Sequence, residues 1–582
     1  MKRQLSAVSY YTRSKKPRFT EPIPIISKPM VSASHLHNFM INDSLVDWLK
    51  LKTRPGTRFS PAYIQQNGFS SFIMNKGVEF ESQLVKYINT NRIPVISVSE
   101  YITDEACQKT IDLMKQGVPI IHSAPVKSII TGTQGIIDLL VRSDYLDKLI
   151  ATPPLQADEV KHNSNFYYVV IDIKFSTLPL RADGIHLLNS GHYPAYKAQI
   201  YVYNEIVGEI QGYTPNYAFI MGRRWHYTQR DVNHQNYTCL DRLGRVDFSG
   251  VDKAYPERVN EAIEWVRDVR QNGSAWSINP PSRRELYPNM CVDSGKWNIE
   301  KERIAADIGE ITNVWYLSTK HRNTGLLADI KSWRDERCTA ANLKFGGMRA
   351  PIIDKIMAIN RQNKDKIWPK VIQGDTTDWK NSSNELFVDF ETLSDIFSDF
   401  NDLPNQKNTD MIFMIGVGWE DQGKWCYKNY TCTAPTRQEE CRIMSEFKQF
   451  VRDRGNPLLR YWYAESQFWN AAQGRILPNV VGECKWRDMY EFFQKEPIVL
   501  KGCFKFGLKP IAKAMKTHGM ISTCIESSCD SGMSAMINAM KCYQESSTPV
   551  TSDMMVDIIK YNEFDCKVLW EILSYLRKNH TE

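Results

Sequence analysis

Two apolar, β-branched runs in this 582-residue chain end in charged residues two positions apart, and they constrain its fold more than any other feature. Tyr167-Tyr-Val-Val-Ile-Asp-Ile-Lys-Phe carries Asp172 and Lys174; Glu385-Leu-Phe-Val-Asp-Phe-Glu-Thr carries Asp389 and Glu391. On a strand, residues i and i+2 share a face, so each pair points the same way. Burying an acid there is costly unless a counter-charge, a metal or hydrogen-bond donors meet it. Two such strands, far apart in a chain too long for one core, predict separate α/β domains.

The rest of the chain fits around them. Lys2, Arg3, Arg13, Lys15, Lys16 and Arg18 precede any acidic residue, and 1–31 is expected to be a disordered basic tail. Such a tail suits a nuclear address, a non-specific phosphate grip or simple solvation. Helical periodicity over 80–88 and 196–207, with a strand over 166–175, outlines an α/β domain across 32–250. Helices over 304–317 and 324–333, separated by polar turns, suggest a mainly helical connector across 251–375. The turn-rich stretch Gln373-Gly-Asp-Thr-Thr-Asp marks its end. Strands over 386–390, 412–419 and 458–463 and helices over 436–452 and 556–576 make a second α/β domain across 376–582.

Composition narrows the function classes. At 42% hydrophobic and 24% charged residues the chain is globular, and a net charge of +7 permits a polyanionic partner without requiring one. No apolar run is long enough to span a bilayer and the N-terminus lacks a signal core, so no membrane partner and an intracellular place, nuclear or cytoplasmic, are expected. The 13 cysteines form no CxxC pair, which speaks against zinc or iron–sulfur sites. No phosphate loop for ATP is present: Gly295-Lys296 is followed by Trp297.

Asp172 and Lys174 do not stand alone. Gly135-Ile-Ile-Asp places Asp138 in another apolar strand, where propensity disfavours an acid. Gly77-Val-Glu-Phe-Glu places Glu81 at the start of a helix, and Gln199 and Tyr203 share a helix face. A strand-end ion pair explains Asp172 and Lys174 alone; a carboxylate holding Mg²⁺ beside an ammonium that orients water explains the set. The order of helical Glu, G-x-x-D, D-x-K and Q-x-x-x-Y resembles the RecB-like branch of the PD-(D/E)XK nucleases over roughly 32–225. That resemblance implies a restriction-endonuclease-like fold, metal ligation by Glu81, Asp138 and Asp172, water activation by Lys174, and nucleic-acid positioning by Gln199 and Tyr203.

The second pair has company too. Asp389 and Glu391 on one face suit two metal ions about 3.5–4 Å apart. Tyr561 and Asp565 lie one turn apart on the apolar side of the closing helix, where an aspartate needs a cation or donors. The pattern D-x-E, central acid, Y-x-x-x-D resembles the DnaQ-like (DEDDy) exonucleases of the ribonuclease H-like superfamily over roughly 380–580. By that resemblance Asp389, Glu391 and Asp565 ligate metal and Tyr561 orients water. The central acid departs from the pattern, because Glu465 stands where an aspartate belongs; Asp488 is a further acid nearby. Lys501, Lys505 and Lys509 alternate with Phe504 and Phe506, which suits either contact with a nucleic-acid strand or a packed amphipathic hairpin.

RecB-like and DnaQ-like domains on one chain are similar to an uncharacterised nuclease family of prokaryotes and large DNA viruses. The resemblance implies a Mg²⁺- or Mn²⁺-dependent nuclease acting on DNA in repair, recombination or genome processing. An RNA-directed nuclease is the first alternative. A nucleic-acid-binding protein with an inactive C-terminal site is the second.

Overall fold

The computed structural model describes residues 29–53, 61–156, 159–160, 166–374, 378–381, 384–397, 399–407, 410–476, 484–524, 527–529 and 531–581. The basic residues Lys2 to Arg18 lie outside them. Among the described residues the architecture is mixed α/β, and no helix is long and apolar enough to cross a membrane.

The first sheet is built from β1 (Val31–Ser32), β2 (Val95–Ser97), β3 (Ile120–Ser128), β4 (Thr133–Arg142), β5 (Tyr168–Pro179), β6 (Tyr217–Gln229), β7 (Val232–Asn236) and β8 (Gly244–Asp247). Its order is β2-β3-β4-β5-β6-β7, with β1 on β4 and β8 on β6. The β3-β4 and β4-β5 pairs are antiparallel; β5-β6 is parallel, with the helix Tyr193–Gln211 as its crossover. The long helix Pro61–Asn91 buries Phe80, Leu84 and Ile88 against one face, with Leu139, Val169 and Ile171. The crossover helix buries Ala198, Val202 and Ile206 on the other, with Leu140, Val170 and Ile220.

The second sheet follows a two-residue strand β9 (Ile367–Trp368). It comprises β10 (Glu385–Leu393), β11 (Met411–Asp421), β12 (Lys424–Thr431), β13 (Leu458–Tyr461) and β14 (Lys485–Asp488), in the order β12-β11-β10-β13-β14. The β10-β11-β12 ladder is antiparallel and β10-β13-β14 parallel. The closing helix Asp553–Asn579 lies against β10 and β11 and buries Ile558, Val568, Leu569 and Ile572. A final strand, β15 (Val499–Leu500), pairs with β9.

The apolar residues of 251–375 are shared between two cores. The helix Tyr255–Asn272 and Ile304 belong to the first core, whereas Ile311, Ile353, Ile356 and Ile372 join Phe493, Leu569 and Leu576 in the second. The expected helix over 304–317 stops at Ile308, where Gly309 takes a left-handed φ of 69°. That expected over 324–333 runs instead over Thr319–Leu327, started by a Ser318 capping box.

A joint ties the two sheets together. Four residues beyond Glu391, Asp395 accepts from Arg223 Nη2 at 2.7 Å through its carboxylate and from Arg223 Nη1 at 2.9 Å through its carbonyl. Arg224 pairs with the same carboxylate. Further along, Phe400 packs on Phe80 and Phe175, and Gln406 N donates to the Tyr237 carbonyl at 2.6 Å. The Arg223 and Asp395 side chains are 8% and 12% exposed, so removing the carboxylate takes a directly paired counter-charge from two shielded cations. Asp395→Ala is expected to cost about 3–5 kcal/mol at this joint. Limited proteolysis should then cut within 394–407 much faster than in the unmodified chain, while Asp395→Glu stays close to it.

Candidate functional site

At the first centre, β5 presents Asp172 and Lys174 opposite Ile220 and Gly222 of β6, and the register shifts immediately after Lys174. A register shift re-aims side chains and is common beside active sites. Asp172 is fully buried, and Lys174 Nζ stands 2.6 Å from its Oδ2. Asp138 reaches across from β4: its Oδ2 accepts the Ile173 N–H at 2.7 Å. Gln199 donates to Tyr203 Oη at 3.0 Å and approaches Asp172 Oδ1 at 3.4 Å. His122 Nε2 lies 3.1 Å from Glu81 Oε1, which accepts from it in the tautomer that carries the proton on Nε2.

Electrostatics shows that these groups share one pocket of charge. Burial pushes the Asp138 carboxyl well above the usual range, Asp172 and Glu81 add to this, and Lys174 opposes it. Burial alone lowers the Lys174 ammonium, but the Asp172 and Asp138 carboxylates outweigh it and hold it above its ordinary value. Lys174 is therefore a fixed cation and not a general base.

Two expectations change here. Glu81 lies well inside the helix Pro61–Asn91, not at its start, because the helix runs back to a proline that its first turn tolerates. Tyr203 is 3% exposed and its ring fills the space beside Gly135, where a Cβ would come within 2.2 Å. It braces Gln199 instead of facing a ligand. His122 was missed: its Nδ1 meets Ser97 Oγ at 2.9 Å while Nε2 meets Glu81. A histidine after Ile120-Ile121 in a strand is the only local signal.

At the second centre, Asp389 and Glu391 lie opposite Gly416 and Met414 of β11, and again the register shifts after the second acid. Glu465 begins the helix Glu465–Ile476 that follows β13, and Asp565 and Tyr561 come from the closing helix. Glu391, Glu465, Asp565 and Tyr561 are buried. Burial, then the neighbouring Asp565 carboxylate, pushes Glu391 up to about 8. Burial pushes Glu465 up to about 8, with Asp488 and Asp565 adding and the Ala464 and Glu465 N–H groups opposing. Burial raises Asp565 to about 6 against the opposing Lys509 charge and a Tyr561 hydrogen bond. Asp389 is held well above its ordinary value by burial, Asp565, Glu391 and Glu465.

At this centre Asn562 is the residue that sequence reasoning missed. Its Nδ2 donates to Asp389 Oδ2 at 2.7 Å and to the Asp389 carbonyl at 3.2 Å, and lies 3.4 Å from Glu391 Oε1. Its Oδ1 accepts from Tyr427 Oη at 2.9 Å. The closing helix comes so near β11 that a Cβ on Gly416 would fall 1.6 Å from Asn562 Oδ1. The hint in the sequence is an asparagine on an otherwise apolar helix face.

The three lysines part company. Lys509 Nζ donates to Tyr561 Oη at 2.5 Å, beside the acids. Lys501 is turned to the Gln362 carbonyl and, at 2.6 Å, to Asn363 Oδ1, because β15 pairs with β9. Lys505 is exposed and 3.4 Å from the Met290 carbonyl. Phe504 and Phe506 pack on Trp333 and Trp315 at 4.9 Å each. Of the two arrangements this segment suits, Lys501 and both rings take the packed one. Asp488 caps the helix Met489–Lys495 through the Tyr490 and Glu491 N–H groups.

Both centres offer oxygen donors of the kind hard divalent cations take. Among the described residues no three His, Cys, Asp or Glu side chains stand close enough to form a ready-made cage. Mg²⁺ keeps several waters and needs only one or two carboxylates besides the substrate's phosphate. Asp565 Oδ1, buried and without a hydrogen-bond partner among the described residues, fits such a role. No protein-family model and no curated protein matches this chain.

Proposed function

We propose that the protein is a metal-dependent nuclease that hydrolyses DNA phosphodiester bonds at two centres, one RecB-like PD-(D/E)XK and one DnaQ-like. The observation that carries this reading is the convergence of Asp138, Asp172 and Lys174 from two neighbouring strands, with Lys174 Nζ 2.6 Å from Asp172 Oδ2 and Asp138 Oδ2 on the Ile173 N–H, and with the Glu81 carboxylate of the long helix adding to the rise of Asp138. The strand orders support the fold assignments: a helix, three antiparallel strands, a helix and a parallel strand in the first, and a five-stranded mixed sheet with the acids on its middle strand in the second.

Asp138, Asp172 and Glu81 would hold Mg²⁺ or Mn²⁺ in the first centre; Asp389, Glu391, Glu465 and Asp565 would do so in the second. When bound, such an ion would supply charge stabilisation on the phosphoryl oxygens and acidify a water. Lys174, kept protonated by Asp172, presents fixed positive charge and donors to the reacting phosphate. Tyr561, whose ionisation burial and Asp565 oppose, stays a neutral phenol and orients water through its hydroxyl. Asn562 fixes Asp389 and Glu391 relative to the helix that carries Tyr561 and Asp565.

One observation favours a second reading for the C-terminal centre, as an inert binding module. Glu465 accepts the Ala464 N–H at 3.2 Å, so its carboxylate is partly occupied by its own backbone. Asp172→Ala and Asp389→Ala, tested singly on labelled single-stranded DNA, duplex DNA and RNA, separate these readings. Two active centres predict that each variant removes part of the cutting. Loss in Asp172→Ala alone makes the second centre a binding module; cutting of RNA only moves the substrate to RNA; cutting of nothing by the unmodified chain refutes the proposal.

A further inference from the structure

A row of rings leads away from the first centre. His37 and His192 stack with centroids 5.2 Å apart and planes at 19°, and His192 Nδ1 lies 3.1 Å from His37 Nε2. Tyr196, one turn into the helix Tyr193–Gln211, extends the row at 6.4 Å from His192. Lys174 Nζ stands 5.1 Å from the Tyr196 ring centre. The row thus runs from His37 through the exposed His192, then Tyr196, to the amine paired with Asp172.

The chemistry of this row is that of a stacking surface beside cations. Burial pulls His37 down to about 4, with His192 and the Lys50 and Lys174 charges adding and Asn38 opposing. Burial lowers His192 as well, while Asp293 opposes. Both imidazoles are therefore uncharged at neutral pH and stack without repulsion. The partial positive charge of the helix N-terminus adds to that of Lys174 at the same end. Flat uncharged rings next to positive charge bind unpaired bases and their phosphates, and do so with little regard to sequence. Bases inside a duplex have no free face to offer.

We propose that His37, His192 and Tyr196 form a stacking subsite for the unpaired bases of a single strand, whose backbone it directs toward Asp172 and Lys174. This rests on the nuclease reading of the first centre. It goes beyond that reading by naming strandedness: the first centre takes an unpaired end or gap. The competing role for these rings is packing alone, pinning the short helix His37–Met40 to the crossover helix.

Fluorescence anisotropy of the full chain in EDTA, with a labelled single strand and a labelled blunt-ended duplex of two strands, tests the subsite without cleavage. His192→Ala and Tyr196→Ala should each weaken single-strand binding roughly 5- to 150-fold, the range that loss of one stacked base implies. Duplex binding should stay unchanged, and His192→Phe, which keeps a ring, should bind the single strand nearly as the unmodified chain does. Unchanged single-strand binding by both alanine variants, equal loss on the duplex, or failure of His192→Phe to bind would overturn the proposal. Cleavage with Mn²⁺, measured in parallel, keeps the two ideas apart. If the unmodified chain cuts DNA but the rings do not affect binding, the subsite falls and the centre stands. If the rings bind a strand that is never cut, the nuclease reading falls and the subsite stands. If no oligonucleotide binds, both fall.

Discussion

Gly416→Ala is expected to disrupt the second centre more than any conservative change elsewhere in the chain. The added methyl would lie 1.6 Å from Asn562 Oδ1 and 2.9 Å from the Tyr427 hydroxyl, far inside contact distance. Asn562 is fully buried and anchored to Asp389 and Tyr427, so it cannot swing into solvent. Either β11 or the closing helix must move, and Asn562 must release its bonds. Overpacking and lost buried hydrogen bonds together imply roughly 2–6 kcal/mol of destabilisation. Denaturant unfolding of Gly416→Ala measures it directly. The double variant Gly416→Ala/Asn562→Ala makes room for the methyl, and its cost should be well below the sum of the two single costs. A Gly416→Ala protein as stable as the unmodified one would mean that Asn562 is not held as described.

The second large effect couples pH to divalent cations. Glu391 and Glu465 are raised from 4.5 to about 8 and Asp565 from 3.8 to about 6. Between the ordinary and raised values the folded chain keeps protons that the unfolded chain has released. Stability contributed by these groups is therefore present at low pH and is lost as pH rises through that window. A cation among the carboxylates replaces those protons. Mg²⁺ or Mn²⁺ should thus raise the unfolding temperature strongly at pH about 8.5 and little at pH about 5.5, where protons compete for the same oxygens. At a cation concentration of about 100 times its Kd the gain is roughly 2.7 kcal/mol. Thermal melts with and without EDTA at the two pH values show this, and Asp389→Asn/Asp565→Asn should abolish most of it. Equal stabilisation at both pH values would separate cation binding from these carboxylates.

The acid-bearing strands were legible because charge in an apolar run is a local anomaly. Asp172, Lys174, Asp389 and Glu391 each announce themselves within nine residues of sequence, and β5 and β10 lie where those runs placed them. Asn562 did not, since an asparagine one position from Tyr561 becomes meaningful only when the contact with Gly416 is known. His122 was hidden for the same reason: its role is set by Glu81 on a different element. Lys501 misled because alternation of Lys and Phe does not reveal which face pairs with β9. In 251–375, helical periodicity marks an apolar face without naming the core that covers it. What each residue is can be read along the chain; which partner it meets across the fold cannot.

Cutting of an end-labelled single strand by the unmodified chain and by Asp172→Ala/Asp389→Ala, in Mn²⁺ and in EDTA, tests the metal-dependent nuclease reading most directly. The account predicts that the unmodified chain shortens the strand only when the cation is present, and that the double variant leaves it intact while still binding it. A double variant that cuts as the unmodified chain does, or cutting that persists in EDTA, would contradict it.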